Sequence, residues 1–347
     1  MAAAVEPTWS DPVVEEVADD VYRIPLPLPS DGLRAVNVYL IEGGDRPVCV
    51  DSGWAVQESR EVLVDSLAGL GYEPGDIERF LVTHIHRDHY TQAIDLRREV
   101  QSKISLGAGE REGLEILCDP DDQPSRRRWD NLIRNGAGEL VTQLDQALLG
   151  QPMFTPSVWE MPDDWVLDGD VLEVGSRQLR VVETPGHTRG HVVFHDADSA
   201  LLFAGDHVLP TITPSIGFEV AQPENPLGDF LDSLARVRAL PDALLLPAHG
   251  PTATSVHRRV DELVAHHVIR LDQALAAVRH GADTSFEVAK VLRWTRRERT
   301  MDELDLFNQM LAVTETGAHL RLLEAQGRVH SVIEDGVTHY LDGEGQM

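Results

Sequence analysis

Only two cysteines, Cys49 and Cys118, occur in 347 residues, far apart and in different contexts. That scarcity argues against a disulfide framework and fits a reducing, cytoplasmic compartment. No run approaches the roughly 18 apolar residues that a membrane-spanning helix needs. Met1 to Asp20 has neither the basic start nor the apolar stretch of a secretory signal. Basic residues are also few, 30 Lys and Arg against 58 Asp and Glu, which sets the formal charge at -28. A surface of that sign repels phosphate backbones unless a local patch overrides it, so nucleic acid is disfavoured as a partner. Internal repeats and low-complexity tracts are missing too, and organisation must be read from apolar runs and the turns between them.

Such runs are plentiful, and 42% hydrophobic residues over this length are enough for one large domain and a small one. Val36 to Ile41, Val48 to Val50, Phe80 to Val82, Leu179 to Val182, Val192 to Phe194, Leu201 to Ala204 and Ala243 to Leu246 predict buried strands closed by Gly, Pro or Asp. Ser59 to Leu70 and Leu227 to Ala239 carry helical spacing, so helices layer on sheets. Gly107 to Asp168 departs from this rhythm. It holds amphipathic pieces around Asn131 to Leu149, then Phe154, Trp159 and Trp165 among prolines, and is expected to be an insertion that covers a site. After His249 the pattern turns to long helices, Val256 to His280 and Met301 to Gln326, with Thr284 and Glu287 spaced as a capping box between them. A hairpin is expected at Asp335-Gly336. Three helices and a hairpin follow the order of a winged-helix-like unit, but the acidic tip Glu334-Asp335-Gly336 favours packing or a dimer contact over DNA binding. Arg296, Arg297 and Arg299 are the features that point the other way.

Chemistry concentrates at the strand ends. Phe80 to Val82 runs directly into Thr83-His84-Ile85-His86-Arg87-Asp88-His89. His84 and His86 are two apart in an extended segment and project to one side, while Asp88 and His89 follow the turn. The layout recurs in Thr184-Pro185-Gly186-His187, Gly205-Asp206 and Pro247-Ala248-His249-Gly250, each after an apolar strand. Open α/β sheets place their ligands at such carboxyl ends. Imidazole and carboxylate without thiolate suit zinc, iron or manganese. Seven such groups exceed the four of a closed structural zinc site, which points to two metals with open positions. A lone histidine after a strand is more often a hydrogen-bonded core or surface residue, and His191, His195, His207, His266 and His267 suit that reading.

This set resembles the metallo-β-lactamase superfamily, in particular its glyoxalase II-like, lactamase-β-2-like branch of dinuclear hydrolases, over roughly Val21 to Pro251. The resemblance implies an α/β (α+β) four-layer αββα sandwich over 21–255, after a flexible 1–20. The 107–168 insertion lies within it and a winged-helix-like unit over 256–347 follows. It also implies that His84, His86 and His187 hold one metal, that Asp88, His89 and His249 hold the second, and that Asp206 bridges. Asp51, in Val50-Asp51-Ser52-Gly53, matches a strand-end aspartate that supports the metal loop from behind. The chain departs from glyoxalase II in carrying Tyr90-Thr91-Gln92 where that enzyme has two glycines. It departs from flavodiiron proteins in carrying His86 where they have Glu.

Two divalent transition-metal ions, zinc first and iron or manganese next, would lower the pKa of a shared water and polarise a carbonyl. Asp206 would hold the pair together and Asp88 would orient the water. The expected substrate is a small molecule with an ester-like carbonyl, a thioester ahead of a lactone. The apolar run His207 to Phe218 is the candidate substrate loop, with Tyr90, His207, Thr211, Ile212 and Phe218 as pocket residues. A metal-dependent nuclease acting on RNA and a non-catalytic metal-containing ligand sensor are the competing readings. A homo-oligomer is open on sequence grounds.

Overall fold

The structure is a computed structural model and describes residues 8–29, 32–122, 124–148 and 158–343. Seven strands lie side by side in sequence order: β1 (Glu15–Ala18), β2 (Val21–Pro27), β3 (Ala35–Ile41), β4 (Val48–Val50), β5 (Arg79–Val82), β6 (Lys103–Gly107) and β7 (Asp164–Val166). Pairing is antiparallel from β1 to β4 and parallel from β4 to β7. A second sheet joins β8 (Val171–Val174), β9 (Arg177–Glu183), β10 (Val192–Asp196), β11 (Leu201–Gly205) and β12 (Leu244–Pro247) in the order β12-β11-β10-β9-β8. Only β11 and β12 are parallel there.

The period-two alternation of the strands sorts the core into layers. On β3, Val36, Val38 and Leu40 face outward onto α1 (Gln57–Leu70), α2 (Arg87–Val100) and α3 (Arg111–Cys118), through Leu63, Leu67, Ile94 and Leu114. Tyr39 and Ile41 face the other way and meet Val181, Phe194 and Phe203 between the sheets. The far face of the second sheet, with Val182, Val193, Leu202 and Leu245, is covered by α4 (Pro124–Arg134), α5 (Gly138–Ala147), α6 (Pro226–Arg238), α7 (Val256–Arg279), α8 (Ser285–Val291) and α9 (Leu306–Ala325). Helix, sheet, sheet, helix is the expected four-layer order.

The expected strands form, each within a residue or two of its bounds, but β1, β2, β6, β7 and β8 carry weaker patterns. β2 contains Pro25 and Pro27, which lie beyond the end of β1, where β3 alone pairs with them. β1 means that the terminus expected to be flexible through Asp20 is ordered at Glu15–Ala18, with Arg23 bonded to Glu15 and to the carbonyl of Trp9. The stretch expected as an insertion begins on β6 and returns to the first sheet as β7. Trp159 is buried and stacks on Tyr90, and Trp165 joins the same cluster, so both close the core rather than cover a site. Phe154 lies outside the described residues.

Thr284 caps α8 by accepting the Glu287 N–H, while the Glu287 carboxylate reaches the Asp283 N–H rather than that of Thr284. The helix expected from Met301 is broken: Asp305 accepts the Asn308 N–H and starts α9 afresh at Leu306. The terminal hairpin, β13 (Val329–Glu334) with β14 (Val337–Asp342), turns at Asp335 and Gly336 with φ of 49° and 82°, the double positive φ of a tight hairpin turn. Among the described residues no helix is long and apolar enough to cross a membrane.

Phe230, fully buried on α6, packs its ring against His207 at 5.1 Å and His267 at 5.5 Å, joining the second sheet to α7. Phe230→Ala should lower stability by about 3–5 kcal/mol. Urea unfolding should show this as a lower midpoint at unchanged slope; an unmoved midpoint would show that the two layers do not depend on this contact.

Candidate metal centre

Five strands deliver the site. Asp51 follows β4, Thr83 to His86 follow β5, His187 stands in the turn after β9, and Asp206 and His249 follow β11 and β12. His86 is the residue before α2, which puts Asp88 and His89 in its first turn, where the helix end favours a carboxylate. Gly205 has φ of +49°, and a Cβ there would lie 2.7 Å from the His191 Nε2 and the Thr83 Oγ1. Glycine therefore lets Asp206 come down against both sheets.

Two groups result: His84, His86, His187 and Asp206, and Asp88, His89 and His249, each with ligand atoms within 4.8 Å of one another. Asp206 divides its oxygens between them. Its Oδ2 is 3.4 Å from His187 Nε2, while its Oδ1 is 3.4 Å from His249 Nε2 and 3.7 Å from His89 Nε2. Asp88 Oδ2 lies 3.4 Å and 3.6 Å from those same two nitrogens. These distances exceed good hydrogen bonds, so oxygens and imidazoles face a shared space rather than each other. The closest inward pair is His86 Nδ1 and His187 Nε2, 3.0 Å apart.

The outward nitrogens of His84, His89, His187 and His249 are tied. His187 Nδ1 donates to the Ser215 carbonyl at 2.7 Å, His249 Nδ1 to the Ala35 carbonyl at 2.8 Å, and His89 Nδ1 to Asp51 Oδ2 at 2.9 Å. The Thr83 hydroxyl donates to Asp51, so it accepts from His84 Nδ1 at 3.0 Å. Fixing the outer N–H aims the inner nitrogen lone pair into the site. The Nε2 atoms of His84, His89 and His249 and the Oδ1 of Asp206 are buried without a hydrogen-bond partner. Buried acceptors left unpaired are costly, and a cation satisfies them. A nitrogen and oxygen set without thiolate is the chemistry of divalent zinc, iron or manganese, and these residues fit such ions.

The sequence profile of the metallo-beta-lactamase superfamily matches residues 31–249. The chain belongs to this superfamily. It is 26% identical over 333 residues to a probable metallo-hydrolase, YqjP, of Bacillus subtilis, covering 93% of this chain and 98% of that one. It is 29% identical over 209 residues to the human acyl-coenzyme A thioesterase MBLAC2, covering 56% of this chain and 65% of that one. Among solved structures, a metallo-beta-lactamase family protein of Thermus thermophilus superposes with a TM-score of 0.78 at 29% identity, covering 94% of this chain and all of the other. A beta-lactamase domain protein of Burkholderia ambifaria gives 0.80 at 26% identity, over 98% and 96%. The chain is thus a hydrolase of the metallo-β-lactamase superfamily that uses divalent metal ions.

Charge in this superfamily site is unevenly shared. Burial, reinforced by neighbouring imidazoles, drives His84 and His86 well below the ordinary histidine range. Burial also disfavours charge on His89, but Asp51, Asp88 and Asp206 outweigh it and push the imidazole up to about 10. His249 rises for the same reason, burial being overcome by Asp206 and Asp88. Asp88 falls well below the carboxylate range because His89 and His249 prevail over its burial. The carboxylates thus draw positive charge into a largely buried space, and divalent ions supply that charge in place of protons.

The remaining pocket candidates divide. Phe218 comes to the centre, its ring 6.3 Å from that of His86 and its face covered by the Arg128 guanidinium at 3.7 Å. Tyr90 does not: it is fully buried and donates to the Glu160 carbonyl at 2.8 Å, on the core side of α2. His207 is buried behind Asp206, 6.0 Å from His191, and faces Phe230. Thr211 and Ile212 are exposed, with the Ile212 carbonyl held by Arg259. Val208, Leu209 and Ile216 of the same run are core residues, so less of it can form a rim than its apolar character suggests.

Two supporting residues complete the site: His191, expected as a hydrogen-bonded core histidine but given no role, and Asn37, which the sequence reading passed over. His191 accepts the Asp206 N–H on Nε2 at 3.1 Å, meets Thr184 Oγ1 through Nδ1 at 2.8 Å, and stacks on His84. Its signal was the spacing Gly186-His187 to Gly190-His191. Asn37, the one amide in an apolar strand, donates to the Pro247 and Gly250 carbonyls at 2.8 and 2.9 Å, clamping the His249 turn, and accepts from Arg23.

Asp51 has φ of 59°, a backbone that asparagine also tolerates. Asp51→Asn should leave the fold in place and weaken metal binding about 10- to 100-fold, because the carboxylate behind His89 and Thr83 is gone. Competition against a zinc indicator measures this; wild-type affinity would show that Asp51 does not tune the ligands.

Proposed function

We propose that this superfamily member hydrolyses acyl thioesters of small molecules at two divalent transition-metal ions, zinc ahead of iron or manganese. The observation that carries the reading is the division of the Asp206 carboxylate between two sets of imidazoles. On this reading His84, His86 and His187 would hold one ion, Asp88, His89 and His249 the other, and Asp206 would serve both. Such a pair supplies Lewis acidity and a water acidic enough to attack a carbonyl near neutral pH.

The chain's own residues do the rest. Asp88 has more solvent access than Asp206, 15% against 8% of the side chain, and would orient a water at the site. His191 keeps Asp206 in register through its backbone N–H. Phe218 walls the side next to His86, and Ile212 is the exposed apolar residue of the following rim. Similarity to the human acyl-coenzyme A thioesterase and to an atrochrysone carboxyl ACP thioesterase of Aspergillus novofumigatus, 24% identical over 272 residues, favours the thioester over the lactone. The charge of -28 and the acidic hairpin tip weigh against RNA. Two free thiols, one buried, agree with a cytoplasmic setting.

The purified protein should carry close to two transition-metal ions, and chelation should remove thioesterase activity and lower the melting temperature. At matched metal content Asp206→Ala should lose most activity, His191→Ala less and His207→Ala least. Elemental analysis with thioester assays reads both, and equal losses in the three variants would refute the bridge.

Lengthening the acyl group from acetyl should raise kcat/KM by up to about fourfold per methylene, ~0.8 kcal/mol each, until the Phe218 wall is covered. Background rates across a thioester series, with RNA cleavage that falls with salt and vanishes in Asp206→Ala, would keep the hydrolase and reject the thioester.

A further inference from the structure

The two loops that carry His84, His86 and His187 belong to different sheets. β5 delivers the first pair from the seven-stranded sheet, and the turn between β9 and β10 delivers His187 from the five-stranded one. No shared strand ladder sets their spacing; the Val192 N–H to Thr83 carbonyl bond is a single direct backbone tie between them. A third segment lies across both. Glu110, 1% exposed at the end of the short turn before α3, accepts the Thr188 hydroxyl and packs against Gly190, while Gly113, three residues on, packs against the Ile85 side chain. Ile85 stands between His84 and His86, and Thr188 follows His187.

Contact between the segments is as close as backbone allows. A Cβ on Gly190 would lie 2.0 Å from the Glu110 nitrogen, and one on Gly109 would lie 2.8 Å from the Gly190 Cα. Glu219 is also buried, and its Oε1 has no hydrogen-bond partner. Thr188 and Gly190 are therefore both held against Glu110, a carboxyl from outside the ligand set. Burying a carboxyl is unfavourable in itself: burial pushes Glu110 up to about 7, and burial with the neighbouring Glu110 carboxyl raises Glu219 well above the usual range. An arrangement that opposes stability locally suits a demand for geometry rather than for packing.

We propose that Glu110 is a positioning residue for the His84, His86 and His187 group, a strut between the two sheets that sets the spacing at which the three imidazoles meet an ion. The proposal rests on the reading that these histidines hold one ion of a pair. It is selective, because the other group has its own supports: Asp88 and His89 share α2, and His249 is held by Asn37 and Ala35.

Zinc titration of the metal-free full chain against a chromophoric chelator tests it, without substrate. Wild type should bind two ions. Glu110→Ala should weaken one of them by about 10- to 100-fold, the range for lost outer supports, and leave the other within twofold. Thr188→Val should shift the same site by less. Glu110→Gln, which keeps a carbonyl acceptor for Thr188, should restore most of the affinity. If Glu110→Ala does not fold, Thr188→Val and Glu110→Gln decide by the same selectivity. Unchanged affinities, or equal weakening of both ions in step with the metal-free melting temperature, would overturn the strut and leave the two-ion reading standing. Fewer than two ions in the wild type would overturn that reading and this proposal with it.

Discussion

One buried carboxylate that faces no metal position holds the site in shape. Asp51 sits where β4 ends, in a left-handed backbone, and accepts the Thr83 N–H at 2.8 Å, the Thr83 hydroxyl and the His89 Nδ1–H. Through Thr83 it orients His84, and through His89 it reaches the second group. Because β4 and β5 are parallel neighbours, Asp51 and Thr83 emerge at the same edge, and the contact follows from sheet register. Break it, and a buried N–H, a hydroxyl and an imidazole lose their common partner together.

The same logic repeats around the rim. Each candidate ligand histidine except His86 has its outer nitrogen fixed, and the partners are mostly backbone carbonyls or hydroxyls of a neighbouring loop. Asp206 is placed through its own main chain by His191, and the His249 turn by Asn37. The inner nitrogens of His84, His89 and His249 and one Asp206 oxygen are left unpaired and buried, an arrangement that opposes folding by itself and is relieved by cations. Stability has to come from elsewhere, and it comes from the three apolar clusters of the sandwich.

The helices that follow the sandwich share the largest of these clusters. Val260 on α7, Val288 on α8 and Leu320 on α9 join Leu132 and Leu140 of α4 and α5 and Leu234 of α6. The segment between β6 and β7 and the C-terminal helices are therefore coupled through one core on the outer face of the second sheet. Phe218, against His86, also touches Arg128 of α4 and Phe307 of α9. The wall beside the site is thus built from parts far apart in sequence.

Sequence by itself determined the class of this protein. Apolar runs with period two, each ending in Gly, Pro or Asp beside a histidine or aspartate, sufficed to locate the strong strands and the candidate ligands at their carboxyl ends, because both signals are local. Weak strands such as β2, with its prolines, and β7, three residues long, escaped because their neighbours rather than their composition make them strands. Facing and partnership belonged to the tertiary structure. Tyr90 follows His89 directly, yet a helix turns about 100° per residue, so one faces the candidate metal site and the other the core. Val208 and Ile216 look like a substrate rim until α6 and the C-terminal helices are seen to cover them. Which Asp206 oxygen faces which imidazoles, and which residues hold the loops apart, depended on bringing two sheets together face to face. No stretch of chain encodes that distance alone.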